Sequence, residues 1–318
     1  MRNVLTFLAL IVVLVSCDRK SKTEKEVEEI PVKLQLHRFD KAFFETKPQD
    51  MQDLRYEYPF FFPDSSNTPY IERLQDPLWK EVYSEVEKKY TDFQADSQKI
   101  EDLFRHFKYY FPQANTPVVY TVIGTMDHNN KVLFAKDTLV ISLELYLGKN
   151  HKFYAGEFPE YIRQNFDENQ ILPDIVNAWT QYKIRPPDNT FLGQMIYFGK
   201  QLYLKDVLIP DENNAAKIGY TPEQYAWCEE NEGYIWSYFL ESKLLYDTDN
   251  KLGERFLAPA PFSKFYLEID NESPGRVGQY MGWQIVKSYM ENNQVSLKDL
   301  LNADSKAIFE KSKYKPKK

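Results

Sequence analysis

A change of hydrophobic period along the chain limits the fold more than any other feature. Between residues 117 and 143 the pattern is that of strands: PVVYTVI over 117–123, a short apolar run over 131–135 and DTLVISL over 137–143, with an Asp-His-Asn-Asn turn at 127–130. β-branched and aromatic residues bounded by such turns read as strands, here a small antiparallel meander. Beyond residue 155 the pattern is helical almost throughout. The candidate helices are 159–165, 171–182, 191–208, 222–246, 274–291 and 297–309. Several announce their own starts. Thr221-Pro222-Glu223-Gln224 places a capping threonine before a first-turn proline and a glutamine that can close the box, Ser273-Pro274 repeats the start without the box, and Ser296 with Asp299 repeats the theme. Before the strands, a short extended piece at 31–36 leads into helical pattern around Phe39, Phe43 and Phe44. The proline-bounded YPFFFP at 58–63 interrupts it, helical spacing resumes over 69–90, and Ile100, Leu103, Phe104 and Phe107 put one apolar face on a helix over 97–110. The expectation is an α+β fold: a mostly helical body carrying a small antiparallel sheet.

The first residues set the compartment. Arg2 precedes an apolar stretch from Val4 to Val15, shorter than the roughly 20 residues a spanning helix needs and of the length of a signal-peptide core. Leu14-Val15-Ser16-Cys17 then has the form of a lipobox, in which the thiol accepts a diacylglycerol before cleavage; the alternative is an ordinary secretory signal with an incidental cysteine. The lipobox reading makes residues 1–16 a signal peptide, 17–30 a lipidated tether and 31–318 a single α+β domain, held at a membrane through Cys17 and facing the periplasm. The tether, DRKSKTEKEVEE over 18–29, has only Val27 to bury, although its helix propensities also allow the start of a surface helix.

With Arg2 removed, 39 basic residues stand against 47 acidic ones, and this mild acidity argues against a nucleic-acid partner. Once Cys17 is modified only Cys228 is left, so the body folds without an internal disulfide, and Cys228, next to Trp227 in an aromatic-rich segment, reads as a buried thiol. Aromatic residues make up 16% of the chain; spread along its length, they read as core more readily than as a carbohydrate surface.

Residues that announce chemistry are few. His37, His106, His128 and His151 include no pair at the i, i+4 spacing of a metal-binding helix, with His128 reading as solvent-facing in its turn and His106 as a half-buried surface residue. There is no H-E-x-x-H, Cys-x-x-Cys, phosphate loop or nucleophile elbow, and no cofactor or metal is expected. Glu229, Glu230 and Glu232 read as a solvated helix face. One segment invites a functional reading: Ser273, Gly275 and Arg276 open a helix that continues to Trp283, and free amides at its start with Arg276 would suit an anion or carboxylate. Against that, Arg276 could pair with Asp270 or Glu272.

FPEYIRQNF (158–166), ILPDIVNAW (171–179), GQMIYFGKQLYLKDVLIPD (193–211), IGYTPEQYAWCEENEGYIWSYF (218–239) and APFSKFYLEIDNESPGRVGQYMGWQIVKSYM (260–290), together with the lipobox, resemble the gliding-motility lipoprotein family GldB of Bacteroidetes over essentially the whole chain. The resemblance implies a cell-envelope accessory of the gliding machinery, linked to type IX protein secretion, with protein partners and no defined reaction. A weaker, fold-level resemblance is to certain zinc-dependent peptidases: a small sheet, the YLG of 146–148, two helices at 171–182 and 191–208, and a late Gly-x-x-x-Gly-Trp (278–283). There the first helix carries H-E-x-x-H and the second a glutamate before glycine. Here the first helix has no histidine and Phe198 precedes Gly199, so no metal ligand carries over and the likeness implies a degenerate zincin-like scaffold kept for binding.

Three functions stay open on these residues. The first is a non-enzymatic lipoprotein working by protein contact through the aromatic helical half and the segment from Ser273 to Trp283. The second is a hydrolase whose metal ligands or carboxylates converge from distant segments. The third is a glycan binder that needs tryptophans such as Trp227 or Trp236 on the surface.

Overall fold

A computed structural model describes residues 21–317 apart from Tyr182 and Ile269. Cys17 and the signal-peptide reading lie outside the described residues. The stretch expected to be a tether is helical from Lys22 to Glu28 (α1). Ser21 and Glu24 close a capping box, Val27 is buried, and Tyr109 donates to Glu26 at 2.9 Å, so even one aliphatic residue docks the segment once a neighbouring surface receives it.

Strand β1 (Gln35–Arg38) leads into α2 (Phe39–Phe44), α3 (Met51–Glu57), α4 (Thr68–Gln75), α5 (Pro77–Lys89) and α6 (Gln94–Tyr110). The helical spacing over 69–90 breaks at Asp76-Pro77, where the Asp76 carboxylate accepts from the amides of Leu78 and Trp79 and starts a new helix. Strands β2 (Val118–Val122), β3 (Val132–Ala135) and β4 (Thr138–Ser142) follow.

The α+β class holds, but the antiparallel meander does not. The sheet is mixed, in the order β1-β2-β4-β3; β1 and β4 both run parallel to β2, and only the β3–β4 hairpin is antiparallel. Burial explains the order. The run of β4 is buried from Leu139 to Ser142, which suits a strand covered on both faces, so it enters the middle; β3 alternates half-buried with exposed and stays at the edge.

The two faces of the sheet carry different cores. Val119, Leu139 and Ile141 join the main core with the helical body, whereas Val122 and Val140 pack against Phe39, Phe43, Met51, Leu54, Phe62 and Leu74. Asp40 fastens that outer layer: it accepts from Nε and Nη2 of Arg38 and from the Thr121 hydroxyl, so both oxygens of a buried carboxylate are partnered.

The helical body comprises α7 (Glu160–Arg163), α8 (Ile171–Thr180), α9 (Phe191–Leu208), α10 (Asn214–Ile218), α11 (Pro222–Glu230), α12 (Glu232–Glu241), α13 (Lys251–Phe256), α14 (Val277–Asn292), α15 (Leu297–Asn302) and α16 (Ser305–Ser312). The helix expected over 222–246 divides at Asn231, and the one over 297–309 divides at Ala303. At the centre α9 and α14 cross in backbone contact. A Cβ on Gly199 would stand 2.2 Å from the Gly282 carbonyl oxygen, and one on Gly282 would stand 1.9 Å from that of Met195. No other residue fits either position. Among the described residues no helix is long and apolar enough to cross a membrane.

Candidate functional site

Three helices that pack tightly at one level separate at another. Between α8, α9 and α14, roofed by residues 257–259 and by the turn before β3, lies a cleft of about 520 Å³. Helical spacing supplies its walls. Gln170, Asp174 and Asn177 form a stripe along α8 and the turn before it; Gln194, Phe198, Gln201 and Lys205 form one along α9; Arg276 and Gln279 come from the start of α14. Polar residues at these spacings interrupt otherwise apolar helices. Lys205 is the plainest case, sharing its face of α9 with Leu202 and Leu208.

Among the described residues Asp174 is the only carboxylate in the lining, and its Oδ2 is already engaged. Its Oδ2 accepts from the Tyr146 hydroxyl at 2.9 Å and from Lys131 Nζ at 2.5 Å. Lys131 also donates to the Asn165 carbonyl.

The other two cations have no acid partner. Lys205 is 4% exposed, donates to the Lys217 carbonyl at 2.6 Å, and forms no ion pair among the described residues. Burial pushes its ammonium down to about 7, with the positive charges of Arg276 and Lys131 acting in the same direction and Asp174 and Asp206 opposing. Arg276 donates Nη2 to the Gly219 carbonyl at 2.8 Å, lies 5.2 Å from the Tyr220 ring, and likewise makes no ion pair among the described residues. Burial lowers its pKa too, but a guanidinium stays charged. Both side chains thus bind carbonyls at the C-terminal end of α10, which Gly219 closes in the left-handed conformation (φ 73°), the end of a helix that favours cations.

The sequence-predicted residues fare unequally. Arg276 reaches the cleft, but not through an anion site at the helix start: that start is filled by the chain itself. The Ser263 hydroxyl accepts from the Val277 amide and donates to the Pro274 carbonyl. Ser273 is buried and donates its hydroxyl to the carbonyls of Asp270 and Ser263. Gly275 is pressed against Ala260, whose carbonyl oxygen would stand 2.3 Å from an added Cβ, and its own carbonyl accepts from Tyr220. Trp283 is fully buried, donating Nε1 to Asp206 at 2.7 Å. Ser273, Gly275 and Trp283 are therefore corrected from contact residues to packing residues. The suggested partners of Arg276 are corrected as well, because the Asp270 carboxylate is taken up by the amides of Phe265, Tyr266 and Leu267.

Elsewhere, Glu232 is not part of a solvated face. It is 2% exposed and accepts from the Tyr280 and Tyr314 hydroxyls and the Lys317 amide, tying the C-terminal segment to α12 and α14. Cys228 is buried and burial pushes its thiol up. Trp236 is buried and Trp227 half-buried, so neither presents a fully exposed ring face to a glycan. His128 lines the cleft beside Phe158, and His106 is buried with Nδ1 3.0 Å from the Asp102 carbonyl oxygen. Among the described residues no group of three or more His, Cys, Asp or Glu side chains could hold a metal.

Sequence reasoning missed Lys205, Lys131 and Asp174, although the polar stripes at 170/174/177 and 194/201/205 were there to be seen. Compared with known families, residues 20–316 match the model described as gliding motility protein GldB. No curated protein and no solved structure matches the chain.

Proposed function

Because the chain belongs to the gliding motility protein GldB family, we propose that it is a lipoprotein of the cell envelope, held by lipid on Cys17 and facing the periplasm, that supports gliding and the associated type IX secretion through protein contact and not through catalysis. The cleft between α8, α9 and α14 is where a partner engages it. One observation carries this reading. Oδ2 of the cleft's one carboxylate among the described residues is occupied by Tyr146 and Lys131, while Lys205 and Arg276 bind carbonyls and have no ion-pair partner among the described residues. A recognition pocket needs unspent donors, and here they remain.

The test is colony spreading in cells whose own copy of the gene is deleted. Cells complemented with the full chain should spread. Cells carrying Cys17→Ser, or Gln201→Trp to fill the cleft, should fail to spread while holding normal amounts of folded protein. Normal spreading with Gln201→Trp would overturn the cleft as the point of engagement, and normal spreading with Cys17→Ser would overturn the anchor.

A further inference from the structure

Resting on that reading, we propose that the cleft binds the free carboxylate end of a peptide, with Arg276 and Lys205 taking the carboxylate and the amide-bearing walls taking the peptide backbone. The sign of the ligand follows from the charges. Two cations line the cleft without an acid, and the third, Lys131, is neutralised by Asp174. Their hydrogen-bonding capacity is mostly unspent. A guanidinium has five N–H donors and an ammonium three; Arg276 gives one to Gly219, and Lys205 gives one to Lys217. A planar fork matches the two oxygens of a carboxylate, and the pairing gains strength where water is excluded, as around a side chain 4% exposed.

The class of anion follows from the rest of the lining. A small tetrahedral anion would fill a fraction of a cleft of about 520 Å³, a size ordinary for an organic ligand. It would also leave the walls unused. The side-chain amides of Asn177, Gln194 and Gln201 each offer both a donor and an acceptor, the complement of a peptide unit, and Phe198 and Leu257 in the same lining offer apolar surface to a side chain. A carboxylate followed by amides and one apolar group is the end of a peptide.

Calorimetric titration of the full chain in detergent tests this with three probes: the N-acetylated tripeptide Ala-Ala-Phe with a free carboxylate, the same tripeptide as its C-terminal amide, and inorganic phosphate. The acid should bind, the amide at least about tenfold more weakly, and phosphate should bind more weakly than the acid and be displaced by it. Arg276→Gln and Lys205→Met should each weaken the acid by about tenfold or more with the melting temperature retained, and Arg276→Lys should recover only part, since it restores the charge without the fork. Equal binding of acid and amide, or no binding of either, overturns the proposal; phosphate binding as tightly as the acid overturns it in favour of a small-anion site. If Arg276→Gln does not fold, the acid–amide contrast on the unaltered chain and Lys205→Met still decide. A failure here combined with loss of spreading in Gln201→Trp cells would remove the peptide terminus and leave the cleft as the point of engagement, whereas normal spreading of those cells removes the cleft from that role.

Discussion

The same two helices, α9 and α14, make a closed seam at one level and an open cleft at another. At the seam Gly199 and Gly282 let the backbones touch, and Met195, Met281 and Ile285 are fully buried around them. At the cleft, Gln194, Gln201 and Lys205 of α9 face Arg276 and Gln279 at the start of α14. Side-chain volume is the difference. Without a Cβ the helices close and exclude everything; long polar side chains keep them apart and leave space lined with donors. The lesson extends to buried charge. Near the seam, Glu232 and Asp206 are surrounded by partners: two tyrosines and an amide for the first, Trp283, Lys217 and Lys287 for the second. At the cleft, Lys205 and Arg276 have carbonyls but no counter-charge. Polar groups spent in the seam hold the fold; those left over in the cleft are available to a ligand.

The sharpest way to break this comparison is to put a side chain into the seam. Gly282→Leu should cost about 3 kcal/mol or more, because the intruding group meets main-chain atoms of α9 that cannot rotate away. Urea unfolding would read it, and a loss under about 1 kcal/mol would mean the helices are not in backbone contact. Next comes Glu232→Gln, which keeps the shape and removes the charge that draws in Tyr280, Tyr314 and Lys317. A loss of about 1–3 kcal/mol is expected, with faster amide exchange in residues 313–317. An unchanged unfolding midpoint would place that carboxylate outside the stabilising network.

The pH dependence separates the two regions more finely. Burial holds Lys205 of the cleft near 7 and Lys200, which lies on α9 outside the cleft and donates to the carbonyls of Leu301 and Ala303, near 8, both below the ordinary lysine value of about 10.4. Between these values the unfolded chain binds more protons than the folded one. Their contribution therefore rises as pH climbs from about 7 toward 10 and is lost as pH falls back through the folded values. Lys205→Met should flatten part of that slope while changing stability at pH 7 by no more than about 1 kcal/mol, since the lost bond to Lys217 is offset by relief of a buried charge. An unaltered slope would show that Lys205 is not desolvated. The smallest effect belongs to Gln201→Ala in the cleft wall, expected within about 0.5 kcal/mol of the unaltered chain by thermal unfolding. A larger loss would turn the cleft wall into packing.

Much of the fold was legible. The period change placed the strands and the helical body, Thr221 and Ser296 cap the helices they were read to cap, and 191–208 is the helix its pattern described. Strand order was not legible, because apolar runs give strand existence and burial but not which neighbour runs parallel. The site was half legible. Arg276 could be singled out as a cation at a helix start, but Trp283, picked on the same local grounds, turned out to be buried against Asp206.

Near neighbours along the chain were enough to read the caps at Thr221 and Ser296, the helical and strand periods, the absence of any local metal-binding spacing, and the likeness to GldB. Which polar groups are spent depends on the packed helices. Lys131 meets Asp174 from 43 positions away, and Arg276 meets Gly219 from 57. Each such pairing depends on where α8, α9, α10 and α14 come to rest. Charge compensation acts through space over a few ångströms, and a chain read in order carries no record of that distance.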